Sequence, residues 1–329
     1  MRLATYNIEW FANLFDRKDR LIVDDSWSGR QNITKAQQVE AIAKVLTAVD
    51  ADAMLIVEAP NTGKTQNSVR ALQGFAEAFN LRTSHAVMGF ANDTHQELAL
   101  LYDPAVLTVR HDPKGTGSND APRFDGAFRI DLDIDATEDL VEFSKPPMEL
   151  AVTTSDGASF RLIGAHLKSK APHGASSRDE AIRISIANRR KQLAQAVWLS
   201  RRVRAHLEAN EPVILLGDLN DGPGLDEFEN LFGRSSVEIL VQTGLFDPHA
   251  VSAHTETPPS TARFARPADG GFLEALLDYI MISDGLRALN PRWRIWHPFH
   301  DPACLAAKEL HDALLTASDH FPVTLDIDL

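Results

Sequence analysis

A chain of 329 residues, 44% hydrophobic and 24% charged, has the balance of an ordinary globular protein and excludes a disordered or fibrous one. No apolar run approaches the ~20 residues that span a bilayer, residues 1–7 lack the apolar core of a secretory leader, and the single cysteine, Cys304, excludes an internal disulfide. A cytoplasmic protein without integral membrane association is expected, and its net charge of −13 argues against passive, tight binding to duplex nucleic acid, which needs a basic field.

Residues 3–8 read as a strand. Thr34-Lys35-Ala36-Gln37 fits a capping box, and Val39, Ile42, Val45, Leu46 and Val49 recur behind it at helical spacing. Residues 53–57 form an apolar strand ending on Glu58. Ser68 is placed to cap a second helix whose buried face holds Val69, Leu72, Phe75 and Phe79. Strands are expected at 98–102, 106–109, 128–132, 148–153 and 160–166, many a turn apart as in antiparallel hairpins. A long helix is expected over 178–208. Its face carries Ile182, Ile186, Leu193, Val197 and Leu207, with Arg189, Arg190, Lys191, Arg201, Arg202 and Arg204 mostly elsewhere. Strands at 213–216, 277–282 and 323–327 complete the list.

Two stretches rich in Gly, Pro, Asn and Asp, 112–125 and 254–271, read as long loops. Apolar strands lie on both sides of each, so one domain over 1–329 is expected. The pattern implies an α/β (α+β) fold, a four-layer sandwich of two packed, mixed, mostly antiparallel sheets flanked by helices.

The informative polar residues sit at strand ends. Asn7 and Glu9 stand two apart, as do Asp218 and Asn220, a spacing that puts two side chains on one strand face. Glu58, His166 and the Asp319-His320 pair also border apolar strands. Singly, each reads as a turn or hydrogen-bonded residue. Asp278 is different, because a carboxylate flanked by Leu277 and Tyr279 needs a partner to offset desolvation. A histidine is one such partner, and an Asp–His pair is how a general base is oriented. Together the set offers oxygen ligands suited to Mg2+ or Mn2+ (Asn7, Glu9, Glu58, Asp319), two histidines and an Asp/Asn pair to align water. These are the parts of metal-assisted phosphate hydrolysis. An acidic chain can still attract phosphate once its carboxylates hold a cation.

The segments Thr5-Tyr6-Asn7-Ile8-Glu9-Trp10-Phe11, Leu55-Ile56-Val57-Glu58, Gly164-Ala165-His166-Leu167-Lys168-Ser169, Leu216-Gly217-Asp218-Leu219-Asn220-Asp221, Leu277-Asp278-Tyr279-Ile280 and Ser318-Asp319-His320-Phe321-Pro322-Val323 occur in that order over nearly the whole chain. In this the chain resembles the endonuclease/exonuclease/phosphatase superfamily, whose fold is that of pancreatic-type deoxyribonuclease. The resemblance implies that Asn7 and Glu58 hold the metal, with Glu9 and Asp319 as direct or water-mediated ligands. It implies that Asp218 orients or deprotonates the attacking water and that Asn220 hydrogen-bonds the phosphate. His166 would donate to a non-bridging oxygen, and His320, oriented by Asp278, would act on the nucleophile or the phosphoryl oxygen. Water would attack in line, without a covalent intermediate.

The sequence departs from that pattern in two places. Val57 precedes Glu58 where the family often has Gln. Lys145-Pro146-Pro147 stands where the family often has Arg-Pro-Pro, which keeps the charge and loses the bidentate fork. Lys145 and Lys168 are the candidate phosphate contacts. Gly63-Lys64-Thr65 suggests the end of a P-loop, but Glu58 occupies the place of its required glycine, and the polar-loop reading is preferred. Zinc-peptidase and serine-esterase motifs are absent.

The expected activity is that of a divalent-metal-dependent nuclease or phosphodiesterase. Nucleic acid is the favoured partner because basic residues follow His166 in Lys168, Lys170 and the arginine-rich helix. A solvated helix face is the bland alternative for those residues. A small-molecule or lipid phosphoester of the inositol-phosphate or sphingomyelin type is the second reading. A non-catalytic binding module on the same fold is the third, opposed by the full complement of chemistry-bearing residues.

Overall fold

A computed structural model describes the chain except for residues 116–120, 133–137, 224–232, 252–258 and 267–269. The first strands are β1 (Arg2–Asn7), β2 (Ala53–Ala59), β3 (His85–Met88), β4 (Glu97–Tyr102), β5 (Leu107–His111), β6 (Ala127–Ile130), β7 (Asp139–Glu142) and β8 (Met148–Thr154). They are followed by β9 (Ser159–His166), β10 (Val213–Asp218), β11 (Leu245–Phe246), β12 (Ala262–Arg266), β13 (Gly271–Ala275), β14 (Asp278–Ser283), β15 (Arg292–Ile295) and β16 (Val323–Asp326). The helices are α1 (Lys35–Val49), α2 (Ser68–Ala78), α3 (Arg178–Glu208), α4 (Ser236–Val241), α5 (Pro302–Ala306) and α6 (Lys308–Ala317).

Two six-stranded sheets result, ordered β15-β16-β1-β2-β4-β3 and β11-β14-β10-β9-β8-β5. In each, only the central pair is parallel, β1 with β2 and β9 with β10. Period-2 alternation sorts the side chains. Ala4, Tyr6, Met54 and Ile56 meet α1, α2 and α6, whereas Leu3, Leu55 and Val57 meet Leu162, Ile214, Leu216 and Ile280 between the sheets. Ile163, Ala165, Leu215 and Met281 turn outward onto α3 and α4, where Leu193, Trp198 and Leu240 cover them. The expected four layers are therefore helices, sheet, sheet, helices.

The capping box at Thr34 and Gln37 is closed by both reciprocal bonds. The second helix starts one residue earlier than expected: Asn67 is its cap, accepting from Arg70 N at 2.9 Å, and Ser68 is the first helical residue. Of the 254–271 loop, 254–258 and 267–269 lie outside the described residues. The remainder departs from expectation, because Ala262–Arg266 is a strand paired in register with Gly271–Ala275. Its alternation is masked in the sequence by the glycines and prolines around it. Of the 112–125 loop, 116–120 lies outside the described residues. The third difference is in α3, where Arg189 and Arg202 are buried. Arg202 donates to the carbonyls of Lys114, Ala121 and Pro122 and lies over the Phe124 ring. Its stem and planar head suit a buried site that collects carbonyls.

Gly217 is fixed by sterics. It has φ +134°, and a Cβ there would lie 2.0 Å from the Ala165 carbonyl oxygen on the adjacent strand. Gly217→Ala is expected to destabilise the protein by about 3 kcal/mol or more, since backbone cannot give way as a side chain can. Urea denaturation checks this, and a loss below about 1 kcal/mol would show that the β9–β10 pair relaxes freely.

Candidate active site

The inter-sheet faces of three neighbouring strands end on polar residues. In β9, β10 and β14 the even-numbered residues face the opposing sheet, as Leu162, Ile214, Leu216, Ile280 and Ile282 show. The same alternation carries His166, Asp218 and Asp278 to that face. Register sets them side by side, Asp218 opposite His166 in the parallel pair and opposite Asp278 in the antiparallel one. From the facing sheet Asn7, the last residue of β1, donates its Nδ2 to Asp218 Oδ2 at 3.0 Å. All four are nearly or fully buried.

Glu58 reaches the same place by a bulge. The pairing of β2 with β4 slips between Val57 and Ala59, and Glu58 takes φ 61°. Val57 faces the other sheet and Ala59 the helices, so the extra residue is turned out of the ladder and aimed into the cleft. Bulges commonly re-aim a side chain in this way.

His320 arrives on the segment before β16. Its Nδ1 is 2.8 Å from Asp278 Oδ2. Burial opposes its charge, yet Asp278, Asp218 and Asp319 outweigh that and raise its pKa well above the ordinary value. It is a buried imidazolium donating through Nδ1. His166 is the reverse case. Burial, then the charges of Lys145, His320 and Lys168, push its pKa well below the usual range. Lys145 Nζ lies 3.3 Å from His166 Nδ1, which leaves the neutral ring its proton on Nε2, 3.5 Å from Asp218 Oδ2. Asp218 is pushed up to about 6, chiefly by burial and next by Asp278. Glu58 is pushed up to about 7, again chiefly by burial, and Lys145 at 4.0 Å partly offsets this.

Two expected geometries differ. β1 ends at Asn7, so Glu9 does not share its strand face. Glu9 instead pairs with Arg30 through one carboxylate oxygen and takes the Trp10 indole N–H on the other at 2.8 Å, placing it at the rim. Asn220 likewise lies beyond β10, with φ 51°. Its backbone N–H donates to Asp218 Oδ1 at 2.8 Å and its side-chain amide to the Leu167 carbonyl at 3.1 Å. Asp319, Lys168 and Lys145 line the cleft with these groups, and the cleft has a volume of about 970 Å³. Burial also lowers the pKa of both lysines.

Several supports carry no sequence signal of their own. Thr261 Oγ1 accepts the N–H groups of Leu277 and Asp278, both at 3.0 Å. Gln38, in the apolar pattern of α1, bridges the Glu9 and Ala317 carbonyls at 2.7 and 2.9 Å. Ser318 Oγ donates to the Asn7 carbonyl at 2.7 Å and accepts from Glu9 N at 3.1 Å and His320 N at 3.3 Å. It thus ties the end of β1 to the histidine. Ser318→Ala leaves these buried groups unpaired and is expected to cost about 2 kcal/mol and roughly 10- to 100-fold in kcat by misplacing His320. Urea melts and steady-state rates measure both, and an unchanged kcat would remove Ser318 from the positioning role.

Oxygen donors fit a hard cation here. Among the described residues Asn7 Oδ1 is buried without a hydrogen-bond partner, and burial raises the Glu58 carboxylate more than the charges of Lys145 and His320 lower it. Among the described residues two further groups have ligand-type atoms within 4.8 Å of one another. In the Asp218–Asp278–His320 group, His320 Nδ1 and Asp278 Oδ2 are already engaged with each other at 2.8 Å. In the Glu274–His297–His300 group, His297 Nδ1 accepts from Phe299 N and His300 N at 3.1 and 3.2 Å. Its proton is therefore on Nε2, and that ring has no lone pair facing Glu274 either.

A family model described as the Endonuclease/Exonuclease/phosphatase family matches residues 4–320. No curated protein matches the sequence. Solved structures that are similar over the chain include truncated TDP2 of Caenorhabditis elegans, at 14% identity and TM-score 0.52, covering 98% of this chain and 96% of that one. The 3′-5′ exonuclease NExo of Neisseria meningitidis has 16% identity and TM-score 0.54, with both chains covered fully. An AP endonuclease from Archaeoglobus fulgidus has 12% identity and TM-score 0.54, again with full coverage of both. At these identities the likeness is one of fold.

Proposed function

Because the chain belongs to the endonuclease/exonuclease/phosphatase family, we propose that it hydrolyses phosphoesters with a divalent cation, Mg2+ or Mn2+, and that a nucleic acid strand is its substrate. The carrying observation is the row of His166, Asp218 and Asp278 on three registered strand ends, faced by Asn7 and Glu58 from the other sheet. Two of the similar structures belong to proteins described as a 3′-5′ exonuclease and an AP endonuclease, which supports a nucleic acid. No helix among the described residues is long and apolar enough to cross a membrane.

Asn7 and Glu58 would hold the cation, with Asp319 near it and Glu9 at the rim. A cation bound there supplies positive charge to the phosphoryl oxygens and lowers the charge that must be neutralised in the transition state. Asp218 orients the attacking water and takes its proton; a carboxylate raised toward neutrality is matched to that task. Its Oδ1 accepts the Asn220 backbone N–H and its Oδ2 the Asn7 amide, so the carboxylate is held in place and meets the water through a remaining lone pair. The neutral His166 offers Nε2–H to a non-bridging oxygen, and His320, charged and fixed by Asp278, stabilises the phosphoryl group through its other N–H. Lys145 and Lys168 hold the phosphate.

A second reading has a specific observation behind it: Phe272 and Leu273, 50% and 51% exposed, protrude on the β12–β13 hairpin, which suits an amphiphilic phosphodiester. A hydrolysis panel with Mn2+ or Mg2+ separates the two. It would span single- and double-stranded DNA, RNA, inositol phosphates and sphingomyelin micelles. Turnover of polynucleotides is expected; turnover confined to lipid or small esters would overturn the nucleic-acid reading and leave the chemistry standing.

A further inference from the structure

Trp10 follows Glu9 at the mouth of the cleft in a conformation that a bulky side chain rarely adopts. Its backbone is left-handed, φ 61° and ψ 21°, which for an aromatic residue is an outlier held by its surroundings. The surroundings are identifiable. Gly29 has φ +116°, and a Cβ there would lie 2.7 Å from Trp10 Cγ, so only glycine lets the indole settle against that loop. The indole N–H is fixed on Glu9 Oε1 at 2.8 Å. The residue is nevertheless 45% exposed and lines the cleft. A strained, pinned and half-exposed tryptophan gains nothing for the core, since burial would have come more cheaply elsewhere.

The other linings of the cleft point to the ligand. Phe264 and Leu273 are cross-strand partners on the hairpin, and both line the cleft with Trp10. Phe264 packs edge-on against His320, centroids 5.6 Å apart. Lys168 lines it too, whereas Lys170 is paired with Asp221 and the buried Arg189 donates to the Ser185 carbonyl at 3.3 Å. Aromatic and apolar groups beside the phosphoryl centre, with Lys168 in the same lining, match a strand whose bases leave the stack next to the scissile phosphate. Single-strand sites are built from such platforms and basic grooves.

We propose that Trp10 is a stacking platform for an unpaired nucleobase next to the scissile phosphate, which makes single-stranded or frayed nucleic acid ends the substrate class. This rests on the phosphoester-hydrolase reading of the same cleft. It extends that reading by requiring a base, and by assigning its recognition to a residue outside the phosphate chemistry.

Two variants separate stacking from the hold on Glu9. Trp10→Gly removes the ring and accepts the left-handed backbone without strain. Trp10→Phe keeps a ring and loses the N–H. Binding of a fluorescein-labelled single-stranded oligonucleotide would be measured in EDTA, beside the same strand with abasic residues. Cleavage of both strands would be measured separately with Mn2+. The wild type is expected to prefer the base-bearing strand by about tenfold in Kd. That preference should collapse in Trp10→Gly and survive in Trp10→Phe, with cleavage following in KM rather than kcat. A wild type with no preference for bases overturns the proposal, as does a Phe variant that behaves like Gly, because the role would then be to position Glu9. Sphingomyelin turnover that suffers equally in Trp10→Gly overturns it in favour of a lipid contact. Base-dependent binding without cleavage in any metal would sink the hydrolase reading and leave the stacking site standing.

Discussion

Asp218→Asn is expected to lower kcat by about 10³-fold while the protein stays folded. The side chain has no exposed surface to lose, and its shape is kept. Its oxygens accept the Asn220 N–H at 2.8 Å and the Asn7 amide at 3.0 Å, and one of these bonds survives in the amide. What disappears is a carboxylate that burial and Asp278 push up to about 6. The sign is clear. Proton acceptance needs the ionised form, so the rate falls as pH drops through the folded pKa, and a cation nearby moves that limb to lower pH. Asp218→Asn should flatten the acid limb as well as lower the plateau. A variant within tenfold of wild type would show that Asp218 is not the base.

Glu58→Gln is expected to weaken Mn2+ binding by about 100-fold or more, because even groups that only support a ligand cost 10- to 100-fold. The same substitution should stabilise the metal-free protein at high pH. Glu58 titrates at about 7 when folded and near its ordinary value of about 4.5 when unfolded. The folded state therefore holds this proton more tightly, so Glu58's contribution to stability is greatest below pH 4.5, falls as pH rises through 7, and is level above. Linkage puts the drop on the order of 3 kcal/mol. Gln does not titrate, so the difference between wild-type and variant stability in EDTA should trace this curve, and excess Mn2+ should reverse its sign at pH 8. A flat difference curve would show that Lys145, at 4.0 Å, already neutralises the carboxylate in full.

The layers of the fold were legible because burial leaves a periodic record. Alternation in β9, β10 and β14 and the 3.6-residue repeat of α1 survive in the apolar residues alone. The bounds of α3, Arg178–Glu208, coincide with the expected 178–208 because Ser177 caps it and its last turn runs into Asn210 and Pro212. The β12–β13 hairpin was not legible, since its residues alternate weakly between glycine- and proline-rich flanks. The buried guanidinium of Arg202 was hidden for a related reason: the groups that accept its hydrogen bonds are carbonyls, which every residue has, and its counter-charge, Glu149 at 3.7 Å, comes from a strand distant in sequence.

The site was legible in its members and less so in their aim. Asp278 announced its need of a partner by its apolar neighbours, and His320 stands 2.8 Å away. Glu9 and Asn220 were read by strand spacing, yet the strands end at Asn7 and Asp218, and it is the turns that follow that bring both residues to the lining of the cleft. The bulge that aims Glu58 and the hydroxyls of Ser318 and Thr261 work through backbone geometry. Side-chain type alone does not encode that.

The most direct test of the central claim is the cleavage rate of a 5′-labelled single-stranded oligonucleotide by the EDTA-treated wild-type protein before and after Mn2+ is returned, with Asp218→Asn in parallel. No cleavage in EDTA, full recovery with Mn2+, and a rate about 10³-fold lower in the variant at saturating Mn2+ are the expected results. Cleavage that persists in EDTA, or a variant as fast as the wild type, would contradict a metal-assisted attack by water prepared at Asp218.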